Sequence, residues 1–299
     1  FAPEKTQTIL DCTLGSGGHS RNLLEKFPNA KLFGIDRDLK ALQAAKDFLK
    51  PFEENITLNQ AKFSELKDFF VHWMNPLFDY ILADIGVSSE QLDRPDRGFS
   101  FNHEGPLDMR MDPDRQRITA ADLVNNSSKK ELIKIIKTFG EERFAFKIVR
   151  NIMNEREKKP FKTTKELAEL VNHSIPANFK KPGLNPATLT FQALRIAVNE
   201  ELNELSELLE IIPLSLKPNG RFAIISFHSL EDRMIKHKLR TWENPCVCPN
   251  DLPYCICDKK SLGNRLTKKP IRPSEREIKH NRRCRSANLR VFSFKKNNQ

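Results

Sequence analysis

The stretch from Asp11 to Asp38, DCTLGSGGHSRNLLEKFPNAKLFGIDRD, limits the possible folds more than any other part of the chain. An apolar run ending at Leu10 enters a turn that carries Gly15, Gly17 and Gly18. A helical segment follows through Arg21–Phe27, and a second apolar run, Lys31–Ile35, closes on Asp36. Strand, glycine turn, helix, strand and carboxylate together make the front half of a nucleotide-binding crevice. Glycines let the backbone approach a ligand at positive φ. The helix start offers unpaired N–H groups and positive potential. A carboxylate about 20 residues past the first glycine is placed to accept from two ribose hydroxyls. The turn reads Gly15-Ser16-Gly17-Gly18-His19-Ser20, without the third glycine of a dinucleotide fingerprint, and the chain has no P-loop lysine motif. The remaining ligand type is an adenosine cofactor without a pyrophosphate, which points to S-adenosylmethionine. A glycine turn with no ligand is the alternative at this stage.

The alternation continues beyond this stretch. Thr8–Leu10, Lys31–Ile35, Ile56–Leu58 and Phe78–Ile85 read as strands. Ser20–Phe27, Leu39–Leu49 and Ser64–Trp73 between them read as helices, with Ser64 as a candidate N-cap. Mostly apolar strands alternating with helices predict an α/β fold with a parallel sheet. Ligands of such sheets sit at the carboxyl ends of the strands. Gly15–Ser20, Asp36, Phe63 and Asp84 all fall at such ends. Residues 86–118 show little periodicity and are too long for a simple connector, so we expect an ordered loop near the crevice. From 119 to 184 helical patterns dominate, and Thr163 with Glu166 forms a capping box. A long helical pattern over Pro186–Leu216 is expected to bend or break at Pro213. Strand and helix then return in Arg221–Phe227 and in a helix to about Trp242 opened by Ser229 and Asp232, and Ala287–Phe294 reads as a last strand. The expected organisation is a sheet domain over 1–118 and 185–299, interrupted by a helical substrate-recognition insert over 119–184.

Charge narrows the partners. The formal net charge is +11, and the excess lies from Lys259 to Lys296, where Lys268, Lys269, Arg272, Arg276, Lys279, Arg282, Arg283 and Arg285 meet few acids and few aromatics. That composition fits contact with phosphates better than base stacking. No apolar run approaches the length of a membrane span and no signal peptide is visible, so a cytoplasmic protein with no membrane partner is expected. Oligomeric state is not fixed by the sequence; a homodimer is one option. Four of the six cysteines fall in two C-x-C pairs, Cys246/Cys248 and Cys255/Cys257. Zinc sites more often use C-x-x-C, so a reduced cysteine loop stands beside a structural zinc knuckle, and no metal ligand is assigned. Cys12 reads as a packing residue, and Cys284 carries no signal.

Several blocks together resemble the small-subunit ribosomal RNA cytosine-N4 methyltransferases, the MraW family. They are TLGSGGHS at Thr13–Ser20, GIDRD at Gly34–Asp38, DIGVSSEQLDRPDRGFSF at Asp84–Phe101, GPLDMRMD at Gly105–Asp112, TAADLVN at Thr119–Asn125, TFQALRIAVNEELNEL at Thr190–Leu205, SFHSLEDR at Ser226–Arg233 and RSANLR at Arg285–Arg290. The resemblance implies a class I, Rossmann-like methyltransferase sheet with an inserted helical domain. It implies N4-methylation of a cytidine in small-subunit (16S-type) ribosomal RNA, near the decoding centre, with S-adenosylmethionine as cofactor. It also implies that Gly17, Gly18, His19, Asp36, Phe63, Asp84 and Gln91 touch that cofactor. Two positions before TFQALRI depart from the family pattern: Asn185 replaces a histidine and Leu189 a basic residue. Glu90 stands where a proline is common. A family segment that normally precedes the first strand is expected upstream of Phe1.

The chemistry expected of such a protein is positioning. A cytosine amine is a poor nucleophile, so in-line geometry and acceptors near N4 carry the rate. We expect Asp84 and the backbone carbonyl beside it to supply those acceptors, with proton loss to solvent or His228. Phe99, Arg110, Arg195 and Asn199 are the candidates for RNA contact. A DNA amino-methyltransferase keeps the chemistry with another substrate. A non-catalytic RNA-binding or ribosome-assembly factor with a relic pocket is the alternative of a different class.

Overall fold

The computed structural model describes residues 1–180, 183, 185–249 and 254–295. Leu184, the end of the helical span read from sequence, and Lys296 of the basic run lie outside the described residues. The chain divides into two compact units, Phe1–Gly86 with Leu202–Gln299, and Val87–Glu201. The second unit thus extends to both sides of the span 119–184, taking in the loop after Gly86 and the helix up to Asn199.

The first unit opens with β1 (Thr8–Asp11), α1 (Gly18–Lys26), β2 (Lys31–Asp36), α2 (Leu39–Phe48), β3 (Ile56–Gln60), α3 (Leu66–His72) and β4 (Phe78–Asp84). Helices α4 (Ser89–Asp93), α5 (Ala120–Asn126), α6 (Lys129–Gly140), α7 (Ala145–Arg156), α8 (Thr164–Ser174) and α9 (Thr188–Asn199) belong to the second unit. The first unit resumes with α10 (Glu201–Ser215, assigned to it from Leu202), β5 (Leu216–Ser226), α11 (Ser229–Glu243), β6 (Gly263–Arg265), α12 (Glu275–His280) and β7 (Asn288–Phe294).

The described strands form one sheet in the order β3-β2-β1-β4-β5-β7-β6. The first five are parallel, and β7 runs antiparallel to both β5 and β6. This is the class I methyltransferase arrangement. Both faces of the sheet are covered, which is why its strands read as continuous apolar runs. Successive residues alternate between two cores: Ile9, Leu32, Tyr80, Leu82, Ala223 and Val291 pack with Leu24 and Ala45. Leu10, Ile35, Ile81, Ala83, Phe222, Ile224 and Phe292 pack with Leu66, Leu208, Ile211 and Leu239 on the other face. The chain leaves β1 towards β2 and β3, then crosses back to β4 on the opposite side of β1. That reversal opens a crevice at the carboxyl ends of β1 and β4, the place where such sheets take ligands.

Several local expectations shift. The helical pattern over Pro186–Leu216 breaks at Glu200 (φ 52°), whereas Pro213 sits inside α10 near its end. Pro213 lacks the N–H that would bond back one turn and its ring crowds that carbonyl, and the helix ends two residues later at Ser215. Asn219 (φ 65°) and Gly220 form an irregularity within β5 rather than a turn before it. Ser64 does not cap α3; it lies in a 3₁₀ turn over Phe63–Glu65, and its hydroxyl donates to Glu204 Oε1 at 3.0 Å. The cap of α11 is His228 with Glu231, one residue before the pair read from the sequence. The Thr163–Glu166 capping box forms as expected.

The second unit packs around Phe99, Leu107, Met109, Val124, Ile136, Ile148, Leu167 and Leu194. Its opening loop is held by close backbone contacts. A Cβ at Gly98 (φ 71°) would lie 2.2 Å from the Pro106 carbonyl oxygen, so only glycine fits.

Candidate active site

The glycine turn follows β1 because Asp11 anchors it from below. Asp11 is buried; its Oδ2 accepts from Ser20 Oγ at 2.7 Å and its Oδ1 from Thr13 N at 3.1 Å. Burial raises its pKa, opposed by the Ser20 and Thr13 hydrogen bonds. Gly17 takes φ 87° and caps α1 with no side-chain hydrogen bond, so the first turn of α1 keeps its donors for something else. A Cβ on Gly17 would press on Leu49 at 3.2 Å, while Gly15 and Gly18 face open space.

Asp36 ties this turn to the end of β2. Its Oδ2 accepts from Gly15 N and its Oδ1 from Asp38 N, both at 2.8 Å. Burial pushes its pKa up to about 6, against the pull of those two backbone amides. Phe63 stands half-buried just past β3, in the 3₁₀ turn after Ala61.

Asp84 ends β4, beside β1. Its backbone N–H donates to Thr13 Oγ1 at 2.6 Å. Its Oδ2 lies 3.3 Å from His19 Nε2, and the half-exposed His19 has its pKa raised by that hydrogen bond against partial desolvation. Its Oδ1 is buried and has no hydrogen-bond partner among the described residues. A buried carboxylate oxygen without a donor is costly, and it is satisfied only if a ligand or water supplies one. Gly86 follows at φ 117°, with Phe227 beside it.

The structure therefore brings Gly17, Gly18, His19, Asp36, Phe63 and Asp84 to the same end of one sheet. Ser20 joins them as expected, with Asp11 and Thr13, two residues the sequence reading did not assign. The signal for Asp11 was present, since it ends an apolar strand.

The remaining candidates are placed differently. His228 is the N-cap of α11: its Nδ1 accepts from Glu231 N at 3.4 Å, and its buried Nε2 lies 3.1 Å from Glu231 Oε1, off hydrogen-bond geometry. Glu231 Oε2 in turn accepts from Phe227 N at 3.0 Å. That engagement leaves His228 a helix cap rather than the exposed acceptor that proton removal would use. Gln91 belongs to the second unit, where its Oε1 accepts from Ser88 N at 3.0 Å in the capping box of α4.

The RNA candidates are turned inward within the second unit. Phe99 is buried in its core. Arg110 forks onto Asp108 at 2.8 and 2.7 Å and donates to the carbonyls of Pro113 and Gln116. Arg195 forks onto Glu201, at 2.8 Å through each nitrogen. Asn199 is fully buried; its Oδ1 accepts from Met111 N, and its Nδ2 donates to Met109 O, both at 2.8 Å. These side chains hold the loop over Met109–Gln116 in shape, which is a different task from presenting free donors to a phosphate. Two of the basic C-terminal residues are likewise internal. Arg290 pairs with Asp232 at 2.7 Å, and Arg265 with Glu243 at 2.7 Å. Lys259, Lys268, Lys269, Arg272, Arg276 and Lys279 are exposed.

Comparison with known proteins adds to this geometry. The profile of the MraW methylase family matches residues 1–295. The chain is 46% identical over 285 residues to the ribosomal RNA small subunit methyltransferase H of Symbiobacterium thermophilum, covering 95% of this chain and 89% of that one. It is 47% identical over 282 residues to the protein of the same name from Carboxydothermus hydrogenoformans, covering 94% and 90%. With that of Caldicellulosiruptor saccharolyticus it shares 48% over 283 residues, covering 94% and 91%.

Proposed function

Because this chain belongs to the MraW methylase family, we propose that it methylates the exocyclic N4 of a cytidine in small-subunit ribosomal RNA. Its methyl donor is S-adenosylmethionine. The observation that carries the reading is the buried, unpartnered Oδ1 of Asp84 at the crevice beside the glycine turn. The relatives named above are ribosomal RNA small subunit methyltransferases, which supports rRNA over DNA as substrate.

The residues present fit the cofactor. Open space over Gly15 and Gly18 leaves room for its backbone-facing part, and the uncapped first turn of α1 suits a carboxylate. Asp36 is set to accept from the ribose, Phe63 to pack beside the adenine, and His19 to contribute a donor near the turn. When bound, the cofactor supplies a methyl group on an electrophilic sulfonium.

The chain's own contribution is orientation and charge. Asp84 Oδ1 accepts a hydrogen bond from the cytosine amine, which lessens the delocalisation of the nitrogen lone pair into the ring. The same oxygen stabilises the positive charge that grows on N4. The His19 contact on Oδ2 fixes the carboxylate's rotation, so Oδ1 points in a set direction. The N4 proton leaves to solvent, and His228 holds the start of α11 at the carboxyl end of β5. The Val87–Glu201 unit is the substrate-recognition element, and the exposed basic residues from Lys259 to Lys279 contact phosphates. The target base must stand unstacked to reach Asp84. The described residues include no helix long and apolar enough to cross a membrane. The proposed site of action is the cytoplasm, with the small ribosomal subunit as partner.

The test is transfer of labelled methyl from S-adenosylmethionine to assembled small subunits, naked rRNA and DNA, followed by nucleoside analysis. Label in N4-methylcytidine from rRNA is the expected result. Label confined to DNA, or none in any substrate, refutes the reading.

A further inference from the structure

The segment that joins α11 to β6 has an unusual distribution of side chains. Its two ends are fastened: Leu262 N donates to Trp242 O at 2.8 Å, and Arg265 pairs with Glu243. Between them Val247, Tyr254 and Ile256 are 65%, 74% and 66% exposed. Among the described residues of the segment, these apolar side chains face outward rather than into a core. Four thiols converge in their place. Cys246, Cys248, Cys255 and Cys257 have all their Sγ atoms within 4.8 Å of one another.

The spacing of those sulfurs identifies what they suit. The Sγ atoms of Cys246 and Cys255 are 3.5 Å apart, those of Cys248 and Cys255 3.8 Å, and those of Cys255 and Cys257 3.4 Å. A disulfide needs about 2.05 Å, so none of these pairs is bonded. A tetrahedron of thiolates about 2.3 Å from a zinc ion has edges of about 3.8 Å. Clusters of iron with inorganic sulfide hold their cysteine sulfurs farther apart than this. One backbone amide supports the cluster: Ile256 N donates to Cys248 Sγ at 3.3 Å. Lys259 and Lys260 follow after Asp258 and offset part of the negative charge of a four-thiolate zinc centre.

We propose that Cys246, Cys248, Cys255 and Cys257 bind one zinc ion that folds the segment between α11 and β6. With all four positions filled by protein, the ion is structural and leaves no place for water or substrate. Its task is to hold the exposed Val247, Tyr254 and Ile256 in fixed positions beside the basic run.

The experiment uses the full chain, purified with reductant and without chelator. Elemental analysis is expected to find about one zinc ion per chain, released as a mercurial reagent titrates about four thiols. The double variant Cys246→Ser/Cys255→Ser is expected to lose that zinc at least tenfold, and Cys284→Ser to keep it. Cobalt exchanged into the unmutated chain is expected to give thiolate-to-cobalt charge-transfer bands and the intense visible bands of a tetrahedral site. This readout does not depend on the folding of any variant. The proposal fails if the chain holds no stoichiometric zinc after incubation with equimolar zinc chloride. It also fails if mass spectrometry finds the four cysteines in two disulfides, or if the double variant keeps its zinc.

Discussion

The Asp36→Asn variant probes the crevice most directly. In the native chain each carboxylate oxygen accepts from one backbone amide, Gly15 N or Asp38 N, which leaves further lone pairs for a ligand. A hydrogen bond from a ribose hydroxyl to such a charged acceptor contributes about 1.5–3 kcal/mol. Removing the charge should therefore weaken S-adenosylmethionine binding by roughly tenfold to a hundredfold. The pH dependence follows from the carboxyl's pKa of about 6 in the free protein. The anion is the binding form, so below that value protons compete and Kd rises by close to tenfold per pH unit. The stability effect has the opposite sense. The folded state holds this proton up to about 6, whereas an unfolded aspartate releases it near 3.9, so the group's contribution to stability is largest below the unfolded value and is lost as pH rises through about 6. Isothermal titration of both proteins between about pH 7.5 and 5 tests the argument, with melting temperatures showing that the turn survives. A variant that binds within threefold of the native chain at the higher pH refutes it. So does a native Kd that stays flat across the range.

Asp84→Ala and Asp84→Asn should each lower single-turnover methyl transfer by about 10²–10³-fold, because Ala removes the acceptor aimed at developing charge and Asn removes its negative charge; full turnover in both would end the proposed role. Asn199→Ala should destabilise the second unit by about 2–4 kcal/mol in chemical denaturation, since it orphans the Met111 amide and the Met109 carbonyl. RNA affinity should stay unchanged in that variant under conditions where it remains folded, and a loss of affinity there would instead place Asn199 at the RNA. For His19 the raised pKa means that its contact with Asp84 stabilises the fold fully below the unfolded value of about 6.5 and is lost as pH rises through the higher folded value. The difference in melting temperature between the native chain and His19→Gln should therefore shrink from pH 6 to pH 8, and a gap that widens over that range contradicts the assignment.

Asp36 and Asp84 were legible in the sequence because strand, turn and carboxylate follow one another within a few residues. The periodicity that marks β1, β2 and β4 is local, and so is the rule that puts ligands at their carboxyl ends. Capping signals were nearly as good. Thr163 and Glu166 formed the expected box, whereas the cap of α11 slipped by one residue to His228, which can also accept an amide hydrogen. The break at Glu200 instead of Pro213 was not legible, since an αL glutamate leaves no mark in the sequence while a proline leaves a strong one.

The class I sheet, the glycine turn and the family rest on short-range patterns and could be read from the chain alone. The direction in which polar groups point could not. Arg110, Arg195 and Asn199 look like contacts for RNA until their partners are known, and for Asn199 the partner amide of Met111 lies 88 residues away. The same holds for Asp84, whose two oxygens become different only when His19 meets one of them and burial isolates the other. It holds also for the four cysteines, two pairs along the chain whose sulfurs the tertiary structure brings within 4.8 Å of one another. Desolvation and hydrogen bonding depend on neighbours that the fold brings from far along the chain, and no local pattern records them.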